Sequence, residues 1–167
     1  MNRRNFLACS SSLALSSDML SAEELSFNGR IKKAVKFGKK PNEILMNKIV
    51  GLGFDGIEGS APGLQVHEMK KVCQEMNLPM HGVVYNKHWK VRLSDPDPQV
   101  RRESRLGLAQ AMKESKGVGG TSVLLVPGRV KDDQETHPDL WDRSIRQIRK
   151  LIPVAEELRV HLLIDTV

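Results

Sequence analysis

Apolar residues along the chain form short continuous runs that alternate with longer segments in which apolar residues recur at helical spacing. The five runs lie at residues 31–37, 54–63, 78–85, 121–128 and 160–167. They are bounded by glycine, proline or polar residues, which is typical of β-strands. The fourth run, TSVLLVPG, is apolar throughout its centre, as expected of a strand covered on both faces. We predict a strand within each run.

The segments between the runs predict four helices. Asp97 and Pro98 are a typical N-cap and first-turn proline for the third helix, and glycines between positions 117 and 120 predict its end. Pro153 is predicted to bend or shorten the fourth helix. The residues predicted to face inward are Leu45, Ile49 and Leu52; Val66, Met69, Val72, Cys73 and Met76; Val100, Ser104, Leu108, Ala111, Met112 and Ser115; and Trp141, Ile145, Ile148, Ile152 and Ala155.

Strands that alternate with helices predict an α/β fold with a parallel sheet. Two architectures fit this pattern, an open doubly wound sheet and part of a (β/α)8 barrel. The first strand-to-helix turn is Gly38-Lys39-Lys40-Pro41, which lacks the glycine spacing of a dinucleotide-binding turn, and no P-loop pattern occurs. The missing patterns disfavour a nucleotide-binding open sheet.

Composition and charge exclude several classes of protein. The chain has 167 residues with a net charge of +6, but its basic residues are mixed with acidic ones along the helical segments. Aromatic residues make up 4%, too few for stacking on single-stranded nucleic acid, so we predict no nucleic-acid partner. We also predict no membrane span. Cys9 and Cys73 do not make a disulfide framework, and Cys73 is predicted to be buried.

The first 29 residues differ from the rest of the chain. The segment MNRRNFLACSSSLALSS pairs Arg3 and Arg4 with a short, mildly apolar stretch rich in serine and alanine, followed by small residues near Ala22. This arrangement is typical of an export signal of the twin-arginine kind, and a disordered tail is the alternative. We therefore predict an exported, periplasmic protein, or otherwise a cytoplasmic one, with a folded part at 30–167.

Three segments carry a resemblance to a known family: FDGIEGSAPG, HGVVYNKHWKVRLSDPDPQVR and GGTSVLLVPG. There the sequence resembles the xylose isomerase-like TIM barrels, the sugar phosphate isomerase/epimerase group, and within it the hydroxypyruvate isomerase-like members that carry a twin-arginine leader. The resemblance extends over nearly the whole chain. It implies a parallel (β/α) barrel of which this chain supplies an incomplete, N-terminal portion, about five of eight strands.

The resemblance also implies a reaction. Members of the group bind one divalent metal ion (Mn, Mg, Co or Zn), which holds the oxygens of a small sugar or hydroxy-carbonyl substrate, and a carboxylate removes the proton next to the carbonyl. The fifth strand of the family commonly ends in Ile-Glu-Asn, and its glutamate is a metal ligand. Asp165 stands at the matching position, which assigns it a catalytic and a metal-binding role. The other ligands belong to later strands, so we expect this chain not to retain the metal and to be a poor enzyme.

Two other functional classes stay open from the sequence. One is a non-catalytic remnant or interaction module with no activity of its own. The other is a phosphodiesterase-type relative, which is disfavoured because its several metals need many His and Glu ligands on later strands.

Glu58, His88 and Trp89 are the predicted substrate-binding residues. Glu58 is predicted to end the second strand, where the barrel mouth would lie, and a salt-bridged surface glutamate is its alternative reading. His88 and Trp89 lie in the long loop after the third strand, where they are placed to cap a pocket, although Trp89 equally suits a residue that covers the barrel edge. Five further residues or clusters are read as structural: His81 as a core histidine, His67, His137 and His161 as surface residues, and Asp132, Asp133 and Glu135 as a solvated loop.

An incomplete barrel leaves edges open. The first and fifth strands are each predicted to keep an unpaired edge, and Val123, Leu125, Leu162 and Ile164 are predicted to form an inner wall without cover. We expect copies of the chain to associate through these edges into a homo-oligomer.

The leader generates the first testable prediction. We expect export to remove it near Ala22, because the composition changes there. Mass spectrometry of the exported protein measures the mature N-terminus, and an intact Met1 at the start of a well-ordered segment would contradict the prediction.

Overall fold

Five parallel strands form one sheet in which each strand pairs with the next along the chain. The computed structural model describes residues 31–131 and 135–165. The strands are β1 (Ala34–Lys36), β2 (Gly56–Ala61), β3 (Met80–Tyr85), β4 (Ser122–Leu125) and β5 (His161–Ile164). The parallel α/β prediction is confirmed. The sequential order suits part of a barrel, because doubly wound sheets reverse their strand order at a switch point.

Helices connect consecutive strands. They are α1 (Glu43–Gly51), α2 (Val66–Glu75), α3 (Pro98–Val118), α4 (His137–Arg149) and α5 (Ile152–Leu158). Asp97 caps α3 by accepting a hydrogen bond from the Gln99 amide at 2.8 Å, and Gly119 ends it with a φ of 94°. Both boundaries are as predicted. Pro153 lies in the first turn of α5, so the predicted fourth helix is divided into α4 and α5.

The centre of the sheet is buried on the face that packs against the helices. Val83, Val123 and Leu125 have no exposed surface, and Val83 pairs with Val123 in register. Tyr85 lies on the same face, against Gly107 of α3. The prediction that Val123 and Leu125 belong to an uncovered inner wall was therefore wrong, because their side chains point to the helices.

The inner stripes of two helices are as predicted. In α2 the buried residues are Met69 and Cys73. In α3 the predicted positions from Ser104 to Ser115 are buried, and Glu114 is buried beside them.

The inner stripes of two other helices were only partly predicted: Ile49 of α1 is buried as predicted, and Ile148 of α4 is half-buried against the core. In α1, Leu45 is 44% and Leu52 is 72% exposed, and Met46 and Ile49 are the buried residues. In α4, Trp141 is 55% exposed, whereas the buried residues lie one position earlier: Leu140, Ser144 and Gln147. Both helices belong to the units next to the edge strands, so a flank of each has no further unit to cover it.

Several other predictions have a clear outcome or fall outside the described residues. His67, His137 and His161 are exposed, as predicted, but His81 is also exposed and is not a core histidine. In the described part of the chain, no helix is both long enough and apolar enough to cross a membrane. The leader at 1–29, together with Asp132 and Asp133, lies outside the described residues.

The register generates a stability prediction. Leu125→Ala is expected to lower the free energy of unfolding by about 2–5 kcal/mol, because it opens a cavity in a fully buried site. Leu163→Ala, on the opposite face of β5 and 44% exposed, is expected to cost about 1 kcal/mol. Urea denaturation of both variants measures the difference, and equal costs would contradict the assignment of faces.

Candidate functional site

The carboxyl ends of the strands bring His88, Trp89 and Asp165 to one end of the sheet. The prediction that Glu58 ends the second strand was wrong, because β2 continues to Ala61. Lys36 is the last residue of β1 and pairs with Glu58. Asp165 directly follows β5, and its backbone N–H donates to the Leu125 carbonyl at 2.9 Å. His88 lies in the loop after β3. In a parallel barrel this end of the sheet is the one that carries active sites.

His88 is the most unusual residue at the carboxyl end of the sheet. It is only 7% exposed, and its Nδ1 has no hydrogen-bond partner in the described part of the chain. Burial lowers the pKa of His88 below its ordinary value of 6.5, the charge of Lys36 lowers it further, and the charge of Asp165 acts in the opposite direction. The imidazole is therefore neutral at pH 7. Both charges act on His88, which places Lys36, His88 and Asp165 in one electrostatic group.

Trp89 forms an outer wall beside His88. The two rings meet edge to face, with centroids 5.0 Å apart and planes at 89°. The Arg129 guanidinium lies 5.8 Å from the centroid of the indole ring, and 48% of Trp89 stays exposed. An indole fixed in this way offers an apolar surface next to a polar imidazole.

A buried ion-pair network holds the loop that carries His88. Glu135 accepts from Arg92 Nη1 at 2.8 Å and from Arg143 Nη2 at 2.5 Å, and the side chains of Glu135 and Arg92 are about 5% exposed or less. The prediction that Glu135 belongs to a solvated loop was wrong. Arg92 is 43 residues away in the sequence, so no local pattern indicated that Glu135 is buried against it.

The same two arginines join the loop after β3 to the chain after β4. Arg92 Nη1 also donates to the Arg129 carbonyl at 2.8 Å, and Arg143 Nε donates to the Ser94 carbonyl at 2.7 Å. Arg92 forms a further ion pair with Asp95 at 3.4 Å. These bonds fix the segment that follows Trp89 against its neighbour.

The loop after β2 is held by side chains from two other elements. Glu114 of α3 accepts from the amides of Gly63 and Leu64 at 2.9 and 3.0 Å. Asn86, directly after β3, donates from its side chain to Ser60 Oγ at 3.2 Å. The loops after β2 and β3 are thus anchored by polar side chains that the sequence analysis did not identify as anchors.

Glu58 is half-buried on β2, and no ion pair within 4.0 Å involves it in the described part of the chain. Its alternative reading as a salt-bridged residue therefore has no support there. Among residues 31–131 and 135–165, no three His, Cys, Asp or Glu side chains converge as a metal site would require. Asp165 and the described side chains around it do not by themselves fit a divalent cation.

Of the predicted site residues, the structure brings His88, Trp89 and Asp165 into one group and places Glu58 opposite Lys36. The sequence analysis missed Lys36, which lies next to the last residue of the first apolar run. Asp165 was singled out by its match to the family's ligand position.

The comparisons with known proteins agree with this architecture. The profile of the xylose isomerase-like TIM barrel family matches residues 46–167. This chain therefore belongs to the xylose isomerase-like TIM barrel family, and the predicted resemblance is confirmed. A search of curated protein sequences found no match.

Several solved structures with the same fold are sugar epimerases. D-psicose 3-epimerase from Clostridium cellulolyticum H10, solved with D-tagatose, aligns with a TM-score of 0.63 at 19% identity over 79% of this chain and 51% of its own. 3-keto-D-glucoside 4-epimerase from E. coli aligns with a TM-score of 0.67 at 18% identity over 80% of this chain and 56% of its own. The chain thus spans about half the length of these structures.

The charges around His88 generate a pH prediction. Lys36→Met is expected to raise the pKa of His88, and Asp165→Asn is expected to lower it, since each change removes one of the charges that act on the imidazole. NMR titration of the His88 ring measures both shifts, with Lys70→Met on the exposed face of α2 as the control. The prediction fails if Lys36→Met leaves the titration where the control leaves it.

The lowered pKa of His88 also makes the stability of the fold depend on pH. A histidine whose pKa is lower in the folded state takes up protons less readily than in the unfolded state, so stability falls as the pH is lowered from about 6.5. Lys36→Met should reduce this acid destabilisation, which urea unfolding at a series of pH values measures.

Proposed function

We propose that this chain forms the sugar-binding part of the mouth of a sugar isomerase or epimerase. The observation that carries the proposal is His88, a buried imidazole with an unpartnered Nδ1 at the carboxyl end of the sheet. A buried polar atom without a partner costs free energy, so a ligand that supplies the missing hydrogen bond gains affinity there. Membership of the xylose isomerase-like family supports a sugar as that ligand.

The neutral form of His88 suits a sugar hydroxyl. A neutral imidazole has one donor and one acceptor nitrogen, and a hydroxyl is able to engage either of them. Trp89 beside it supplies an apolar surface against which the C–H groups of a small sugar pack. The pair thus gives one polar and one apolar contact, as small-molecule sites commonly do.

Asp165 and Lys36 suit the proton chemistry of isomerisation. In this proposal the Asp165 carboxylate takes the proton from the carbon next to the substrate carbonyl, and the electron pair of that C–H bond passes to the carbonyl oxygen. The ammonium group of Lys36 stabilises the negative charge that develops on the oxygen. Return of the proton to the former carbonyl carbon, with transfer of the neighbouring hydroxyl proton to the former carbonyl oxygen, completes an isomerisation. Protonation of the original carbon on its opposite face completes an epimerisation, and neither reaction changes the atoms present.

A divalent ion, which the family resemblance implies, would need donors in addition to those in the described part of the chain. The roles proposed above are therefore those of side chains alone. Export through the leader is a separate proposal, based on the sequence of residues 1–29.

Sugar binding is the direct test. The epimerases that share the fold make D-psicose, D-tagatose and D-fructose the first compounds to try. We expect saturation-transfer NMR to detect their binding to the full chain. His88→Gln is expected to weaken binding about tenfold, which corresponds to about 1.4 kcal/mol for a lost buried hydrogen bond.

His81→Gln is the matched control, because His81 is exposed and lies at the other end of β3. Asp165→Asn is expected to preserve binding and to abolish exchange of the proton next to the carbonyl with deuterated solvent. Equal loss of binding in the His81 and His88 variants, or no binding at all, would contradict the proposal.

A non-catalytic binding module is the second candidate. The free edge of β5 lies beside an apolar groove lined by Ile148, Ile152, Leu162 and Ile164, and Ile164 is 50% exposed. Such a surface suits contact with another protein segment. Sugar binding without any proton exchange in the unaltered chain favours this candidate, and association of copies through the open edges stays a prediction.

A further inference from the structure

A strongly basic groove lies between α3 and α4, on the helical side of the sheet. It has a volume of about 660 Å³, and five cationic side chains line it: Arg101, Arg143, Arg146, Arg149 and Lys150. Among the described residues that line it, Asp139 is the one carboxylate. The groove shares no lining residue with the group around His88. We name it the α3–α4 groove.

Most of these cations have no carboxylate partner. Arg143 is paired with Glu135, but in the described part of the chain no ion pair within 4.0 Å involves Arg101, Arg146, Arg149 or Lys150. The Asp139 carboxylate is engaged with Thr136 in the capping box of α4, and those hydrogen bonds lower its pKa. The groove therefore keeps a net positive charge at neutral pH.

Three of the arginines are held in place through part of their guanidinium groups. Arg101 Nη1 donates to the carbonyls of Asp95 and Pro96 at 2.6 and 2.7 Å. Arg146 Nε donates to the Asp142 carbonyl at 3.2 Å, and Arg143 is held by two bonds already described. Each group retains further N–H donors. Arginine donors that are fixed before binding lose less entropy when they bind an oxyanion.

Interaction with the helix dipole explains only some of the five cations in the α3–α4 groove. Basic residues in the last turn of a helix interact favourably with its dipole, which accounts for Arg146 and Arg149. It does not account for Arg101 on α3 or for Arg143. Cations three or four residues apart on one helix also repel each other by about 0.2–0.5 kcal/mol per pair. A bound anion would remove that repulsion.

We propose that the α3–α4 groove is a binding site for a phosphate chain, that is, a small anion with two or more linked phosphate groups. Fork-shaped guanidinium groups match phosphate oxygens, and several cations along one groove match several phosphates. No aromatic side chain lines the groove, so a nucleotide base has no stacking surface there. The inference goes beyond the proposed sugar chemistry and does not depend on it.

Tripolyphosphate is the probe, and calorimetry with the full chain measures its affinity. We expect binding that weakens with added salt and that is stronger than the binding of monophosphate. ATP should bind about as tightly as tripolyphosphate, because only its phosphates are recognised. The combined variant Arg146→Gln, Arg149→Gln and Lys150→Gln is expected to lower the affinity at least about tenfold. All three side chains are exposed, so the variant is expected to fold, which circular dichroism checks.

The control variant removes the same charge elsewhere. Lys48→Gln, Lys70→Gln and Lys113→Gln alter exposed lysines on three helices outside the groove. It should keep the affinity within about twofold, and His88→Gln should leave it unchanged, which separates this site from the proposed function. Equal weakening by the control would show a general basic surface and overturn the proposal. Tighter binding of single-stranded DNA through the same three residues would assign the groove to nucleic acid instead and would also overturn it.

Discussion

A parallel strand has two faces to cover and two edges to pair, and within residues 31–131 and 135–165 only β2, β3 and β4 have partner strands on both edges. The exposure of apolar side chains therefore increases from the central strands to the edge strand β5. Val123 and Leu125 of β4 have no exposed surface, whereas Leu163 and Ile164 of β5 are 44% and 50% exposed. Burial of apolar area is the dominant stabilising term, so the centre of the sheet contributes most of it. His88, in the loop after the central strand β3, is buried, and Asp165, directly after the edge strand β5, is exposed.

The elements of the fold were predictable from the sequence because their signals are local. Asp97 and Gly119 mark the ends of α3 by chemistry within a few residues. The inward stripe of α4 was not predictable in this way. The residues buried in α4 and the residues predicted to be buried have the same helical spacing, but the two sets are shifted by one position. The predicted set is the more apolar one, so the sequence favoured it. Gln147 is buried in place of Ile148 because Arg105 on α3 donates to its side-chain oxygen at 2.7 Å, a contact across 42 residues.

The candidate site was predictable to the same extent. His88 and Trp89 follow a strand directly, and the rule that loops after parallel strands carry function singles them out. Whether His88 is neutral depends on burial and on Lys36, which is 52 positions away in the chain. Glu135 stands in an acidic stretch that reads as solvated, and only the fold places Arg92 against it. Local patterns therefore indicate which residues lie at the mouth, and long-range contacts decide their charge state and their exposure.

The two carboxylates of this region consequently have different roles. Glu135 has its charge and hydrogen bonds satisfied by two arginines, and such a buried network seldom stabilises a fold more than apolar side chains of the same volume would. We interpret the role of the Glu135 network as positional, since it fixes the loop that follows Trp89 before any ligand binds. Asp165 is exposed and forms no ion pair within the described residues, so its charge acts on the ring of His88 and on the space in front of it. A fixed loop beside a free carboxylate lowers the entropic cost of orienting a small ligand. The buried polar network thus fixes the loop after β3, whereas under the proposed function the exposed Asp165 carboxylate is the group that contacts a ligand.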